Sequence, residues 1–254
     1  MMGEQKTKAA GARVEVRNLT KKFGDLLVLD DISFNVEKGE FLCIVGPTGC
    51  GKTTFLNSLT RLYDLTAGEI LVNGEAVDPK KHNISYIFQE YSAMPWLSVE
   101  DNIRFGLDIK GVPKQEAQEN VEEMLEIVGL EKFRKQYPHQ LSASMLQRVS
   151  IARAFATKPD LLLMDEPYGQ LDIELRFKLE DELIKLWEKL GTTVLFITHN
   201  IEEAVYLGQN IMVLTNKPTK VKTVIPDEIP HPRDVTAPEF VKLRNYVTDM
   251  IKWW

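Results

Sequence analysis

Cysteine is scarce in this sequence: two in 254 residues, Cys43 and Cys50. Two thiols cannot build the disulfide framework of a small secreted domain, and no ligand pattern around them makes a metal site. Their rarity fits a reducing cytoplasm. Long apolar runs are missing as well. No stretch reaches the roughly 18 residues of a membrane-spanning helix. The first dozen residues, MMGEQKTKAAGA, lack the apolar segment of a secretory signal, and residues 1–12 are expected to be a disordered tail. Positive charge is not in excess: 31 Lys and Arg stand against 37 Asp and Glu, a net charge of −6. That balance argues against wholesale nucleic-acid binding. Internal repeats and low-complexity tracts are also lacking.

What the sequence does contain is alternation of strand and helix patterns, over a length sufficient for a large core with a smaller subdomain. "RVEVRNL" alternates, "LLVLDDISFNV" is rich in β-formers, and "EFLCIV" (Glu40–Val45) is a continuous apolar run of buried-strand length. Asn73-Gly74, after "EILV", is a hairpin turn signal. From about Glu90 to Thr157 helical patterns take over: "VEDNIRFGL", "KQEAQENVEEMLEIVGL" and "LSASMLQRVSIARA", the last with Ser142 placed as N-cap. Strands return with "DLLLMDEP" and "TTVLFITHN", separated by the helix "IELRFKLEDELIKLWEKLG". The pattern predicts an α/β fold with a mainly parallel sheet and a helical block inserted between its two halves. The expected division is a core of residues 13–89 and 158–254, with residues 90–157 as the helical subdomain.

The run Gly46, Pro47, Thr48, Gly49, Cys50, Gly51, Lys52, Thr53 follows the apolar strand and precedes the helix-like "TTFLNSLTRL", which opens at Thr53 and Thr54. It matches G-x-x-x-x-G-K-[ST] in the strand–loop–helix setting that gives the pattern its meaning. Glycines let backbone N–H groups converge on phosphate oxygens, and the helix N-terminus adds partial positive charge. Lys52 is assigned to the β- and γ-phosphates, and the Thr53 hydroxyl to Mg²⁺. The second anchor is "LLLMDEP" (Leu161–Pro167), four apolar residues followed by two carboxylates at a strand end. Asp165 is expected to hold Mg²⁺, and Glu166 to act as general base on an attacking water. Paired carboxylates alone are more often a solvated turn. Beside a phosphate loop they point to nucleoside-triphosphate hydrolysis.

With these residues in hand, the chain resembles the ATP-binding cassette (ABC) ATPases over nearly its whole length. The resemblance implies a P-loop NTPase core carrying an N-terminal antiparallel β subdomain and an inserted helical subdomain, with ATP and Mg²⁺ as ligands. Phe23 matches the aromatic that stacks on adenine; on its own it would read as a core residue. Gln89, in "YIFQE", matches the glutamine that contacts Mg²⁺ and the attacking water, and His199, in "FITHN", the switch histidine on the γ-phosphate. Asp172, in "YGQLD", matches the loop residue that meets the other subunit of a dimer. "FQEYSAMPWLSVEDNIRFGL" and "PRDVTAPEFVKLRNYVTDMI" look like the ATPases of nitrate, sulfonate, taurine or bicarbonate importers. Such ATPases imply a second ATPase subunit, integral membrane permease subunits, a substrate-binding protein and no nucleic acid. They sit peripherally on the cytoplasmic face of the cell membrane. Tyr91–Val99 is either a docking segment for the permease or part of the helical core. Trp253-Trp254 packs on the domain or meets a partner.

The family signature, Leu-Ser-Gly-Gly followed by Gln or Met, faces the ATP held by the opposite subunit. Here Leu141, Ser142 and Met145 are kept, while Ala143 and Ser144 replace the glycines. A Cβ at Ser144 is expected to crowd the phosphate, with a backbone φ above zero disfavoured there. Gln170 departs from the small residue common before Leu-Asp. Two assemblies are open: one half of an asymmetric heterodimer, or a homodimer that tolerates the altered signature. A regulatory nucleotide-binding module without a transport cycle is the rival function.

Overall fold

Chain order in the computed structural model, which describes residues 11–251 except 170 and 172, begins with β1 (Val14–Phe23), β2 (Leu26–Val36), β3 (Phe41–Val45) and α1 (Lys52–Leu59). Next come β4 (Ala67–Val72), β5 (Glu75–Ala76) and β6 (Ile84–Ile87), then the helices α2 (Val99–Ile109), α3 (Lys114–Ile127) and α4 (Ala143–Ala156). The chain continues through β7 (Leu161–Asp165), α5 (Ile173–Leu190), β8 (Thr193–Ile197) and α6 (Ile201–Leu207). It closes with β9 (Asn210–Leu214), β10 (Val221–Pro226) and α7 (Pro238–Ile251).

Two sheets result. An antiparallel sheet has the order β2-β1-β4-β5, and Asn73 and Gly74, with φ of 54° and 83°, make the tight turn between its last two strands. The central sheet runs β10-β9-β3-β8-β7-β6; it is parallel from β9 to β6, with β10 antiparallel at one edge. Its middle strands are buried at every position, and mostly apolar, because both faces are covered. Phe41, Cys43 and Val45 of β3, with Leu162 and Met164 of β7, face one hydrophobic cluster. Leu42 and Ile44, with Leu161 and Leu163, face another. Each such side chain contributes about 1.5–3 kcal/mol on burial. The first cluster extends into the helical block through Ile103, Val121, Met124 and Phe155 of α2, α3 and α4. The second lies under the antiparallel sheet and α1.

One expectation fails at the N-terminus. Ala12, placed in a disordered tail, is fully buried; its N–H donates to Asp160 O at 2.9 Å and its carbonyl accepts from the Thr193 hydroxyl at 2.7 Å. Satisfying these backbone groups fixes the chain just before β1. Residues 1–10 and Trp253-Trp254 lie outside the described residues.

Candidate active site

The strand order β3-β8-β7-β6 lays four loops side by side at the C-terminal edge of the sheet, where ligand sites of open α/β sheets form. The ladder continues past the strand ends. Thr198 N–H donates to Ile44 O at 3.2 Å, and Glu166 N–H to Ile197 O at 2.9 Å. The residue following each strand therefore starts from a fixed position beside its neighbour.

After β3 the chain makes the phosphate loop. Gly51 caps α1 with φ 116°, and a Cβ there would stand 2.8 Å from Val28 Cγ1. Both the conformation and the space demand glycine. Lys52 is buried, and its ammonium donates to Gly46 O and Pro47 O at 3.1 Å each. The same nitrogen is 3.9 Å from Glu166 Oε1. Cys50 is buried, while Thr48, Gly49 and Thr53 are exposed on the loop and the first turn of α1.

After β7, Glu166 adopts φ 45°. That left-handed conformation is uncommon for a residue with a Cβ. The turn it makes brings its Oε2 to 2.8 Å from His199 Nδ1, and the same oxygen accepts from Gln89 Nε2 at 3.4 Å. Gln89, Lys52, Glu166 and His199, far apart in sequence, are thus gathered in one cluster. Asp165, at the last position of β7, is buried and accepts from the Tyr86 hydroxyl at 3.4 Å. Burial pushes its carboxyl up, opposed by a hydrogen bond from Thr53. A divalent cation would hold that carboxyl ionised. The Thr53 hydroxyl, the Asp165 carboxylate and the Gln89 amide oxygen are hard oxygen donors of the kind Mg²⁺ takes together with phosphate oxygens. Among the described residues no cluster of three His, Cys, Asp or Glu offers a competing metal site.

Phe23 is not a core residue. It is 43% exposed, meets Tyr63 edge-on at 5.3 Å, and has the Lys21 ammonium 4.7 Å from its ring centre. Lys21 and Tyr63 escaped the sequence analysis, although Lys21 and Phe23 share a face of β1 by the period of two. Tyr86, the partner of Asp165, was likewise missed.

Ser142 caps α4, its Oγ accepting from Met145 N–H at 3.3 Å. Ala143 and Ser144 are the first two residues of that helix, and neither has a positive φ. The expected backbone conflict at Ser144 is therefore wrong: the helical start suits any L-residue, and only the added side-chain bulk distinguishes it from glycine. Asp172 and Gln170 lie outside the described residues.

The segment 91–98 is a loop fixed from beneath. Buried Asn102 donates to Met94 O, Leu97 O and Ser98 O at 3.0–3.2 Å, and Arg153 Nη1 donates to Ser92 O at 2.8 Å. Ala93 packs on the core, whereas Trp96 is left 71% exposed. A groove of about 500 Å³ runs from Thr53 and Asp165 past Leu62, Phe88 and Tyr91.

Residues 29–169 match the ABC transporter family. The chain belongs to that family. Over 94% of its length this ABC protein is 41% identical to an uncharacterized ABC transporter ATP-binding protein of Methanocaldococcus jannaschii, covering 91% of that relative. It is 39% identical to the aliphatic sulfonates import ATP-binding protein SsuB of Bacillus cereus, over 92% of each chain. A solved ATP-binding cassette, a dimer in a post-hydrolysis state with ADP and Pi, superposes with a TM-score of 0.75 at 31% identity. That match covers 85% of this chain and all of the other. The fold is that of the P-loop NTPases, and the protein is an ABC-type ATPase. No helix among the described residues is long and apolar enough to cross a membrane.

Proposed function

We propose that this chain is the ATP-hydrolysing subunit of an ABC importer and works as one of a pair beneath membrane permease subunits, on the cytoplasmic face. The observation that carries the reading is the convergence of Lys52, Gln89, Glu166 and His199 at one sheet edge. In this reading Lys52 and the N-terminus of α1 meet the β- and γ-phosphates of ATP, offsetting their charge. Glu166 takes the proton of the water that attacks the γ-phosphorus, while Gln89 and His199 orient the water and the departing phosphate. The products are ADP and phosphate. Thr53, Asp165 and Gln89 would hold Mg²⁺, which when bound would draw charge from the phosphate oxygens. Phe23, flanked by Lys21 and Tyr63, is the adenine platform. Residues 90–157 serve as the helical subdomain, which turns Ser142 towards the ATP of the other subunit, and Asp172 is assigned to the contact with that subunit.

An import role is supported by the sulfonate-importer relative and by the groove at Leu62 and Phe88. With Tyr91, it offers an apolar seat for a permease segment. The solute is chosen by the permease and binding protein. Glu166→Gln tests the site. Loss of a general base is expected to cut hydrolysis roughly 10²-fold or more while ATP binding persists. Equal ATPase rates for this variant and the wild type would end the assignment.

A further inference from the structure

His199 is 56% exposed at the side chain and meets Glu166 through a single ring nitrogen. What fixes the imidazole is therefore its backbone, and both chain neighbours of the histidine are tied to one buried carboxylate. Thr198, 1% exposed, donates its hydroxyl to Glu203 Oε2 at 2.5 Å. The same hydroxyl oxygen accepts the Asn200 backbone N–H at 2.9 Å. The Asn200 amide then donates to the other Glu203 oxygen at 3.4 Å. Glu203 sits in α6 with 4% exposure, and its Oε1 lies 3.7 Å from Arg176 Nη1 on α5. A carboxylate at such depth is costly unless charge and hydrogen bonds offset it. Here both its oxygens are engaged on the turn that carries His199.

We propose that Glu203 is a positioning residue for ATP hydrolysis: by holding Thr198 and Asn200 it sets the imidazole of His199 against Glu166. The inference rests on the roles given above to His199 and Glu166. Arg176 is the counter-charge, which also joins the turn to α5. The chemistry requires an acceptor towards Thr198 more than it requires a negative charge, since the amide oxygen of glutamine can receive the same hydroxyl proton. Alanine supplies no acceptor.

Steady-state kcat and KM for ATP, measured on the full-length chain in its assembled form, decide the matter. Misplacing a reacting group slightly is expected to lower kcat of Glu203→Ala by roughly tenfold or more, with KM within about twofold of wild type. Glu203→Gln should recover most of that loss, and Thr198→Val, which removes only the hydroxyl, should lower kcat on the same scale. In a His199→Ala background the Glu203→Ala change should cost less than about twofold further, since it acts through the histidine. Wild-type kcat in Glu203→Ala, an equal fractional loss in both backgrounds, or a KM rising in step with the loss would overturn the proposal. If Glu203→Ala does not fold, Thr198→Val decides it in the same two backgrounds. Wild-type turnover in His199→Ala would instead remove the role of the histidine, and this inference with it. A defective His199→Ala beside normal Glu203→Ala and Thr198→Val would sink the inference alone.

Discussion

Glu180, on α5, is fully buried, and neither of its carboxyl oxygens has a hydrogen-bond partner. Burial pushes its carboxyl up to about 8 from an ordinary 4.5, helped by Glu203 and opposed by Arg176. Although Arg176 Nε is 3.7 Å away, a neutral Glu180 at pH 7 leaves that guanidinium to Glu202 and Glu203. The linkage sign follows from the raised value. Between pH 4.5 and 8 the folded chain keeps a proton that the unfolded chain has released, so its stability falls as pH rises through this window and levels off above it. Glu180→Gln removes the titration. The stability gap in favour of the variant should widen with pH by on the order of 1 kcal/mol per unit. Melting both proteins at pH 5.5, 7 and 8.5 checks this; a gap independent of pH would contradict it. At this scale the phosphate loop and the Asp165-Glu166 pair were legible, because their chemistry demands particular residue types at fixed spacing. Glu203 and Tyr86 were not, since a buried acceptor or hydroxyl leaves no spacing rule in the sequence.

Among the elements, α4 carries the altered signature, and its geometry changes what the substitutions mean. Ala143 and Ser144 occupy ordinary helical positions, so glycine at both would relieve no strain in this chain. It would add backbone freedom, costing up to about 1 kcal/mol for each residue. The double variant Ala143→Gly, Ser144→Gly should therefore lower the melting temperature by about 2–4 °C for each kcal/mol lost. A gain in ATPase should appear only on assembly of the proposed pair, in which the side-chain bulk would face the other subunit's phosphate. An isolated chain that becomes more stable would refute this account. Element boundaries were legible where one face alternates or a run is long: the stretch Leu26–Val36 is β2, and the helical runs became α2, α3, α4 and α5. The buried five-residue strand β9 and the seven-residue α6 escaped: runs so short have no resolvable period, and no motif marks their ends as one does for β3, β7 and β8.

For the whole molecule, the cluster at the sheet edge is open to solvent, with His199 more than half exposed. If a second subunit completes it, specific ATPase activity should rise with protein concentration, and rise again when permease subunits hold two copies together. A rate per chain that stays constant from nanomolar to micromolar protein would count against the paired assembly. The overall layering was legible because alternating strands and helices must bury both faces of a parallel sheet. How that sheet curves against the N-terminal strands was not, since it depends on contacts between distant segments.

The two hydrophobic clusters on opposite faces of the central sheet each contain one thiol: Cys43 on the side of the helical block, Cys50 on the side of the antiparallel sheet. Burial pushes both up, with the Lys52 charge partly opposing it at Cys50. Covered and protonated, neither should react quickly with a thiol reagent while the layers stay closed. Their alkylation rates, followed by mass spectrometry of the native chain, become separate clocks for the opening of each layer. ATP should slow the Cys50 clock more than the Cys43 clock, because Cys50 lies in the loop proposed to hold its phosphates. Equal protection of both would mean that the two sides of the sheet open as one cooperative unit.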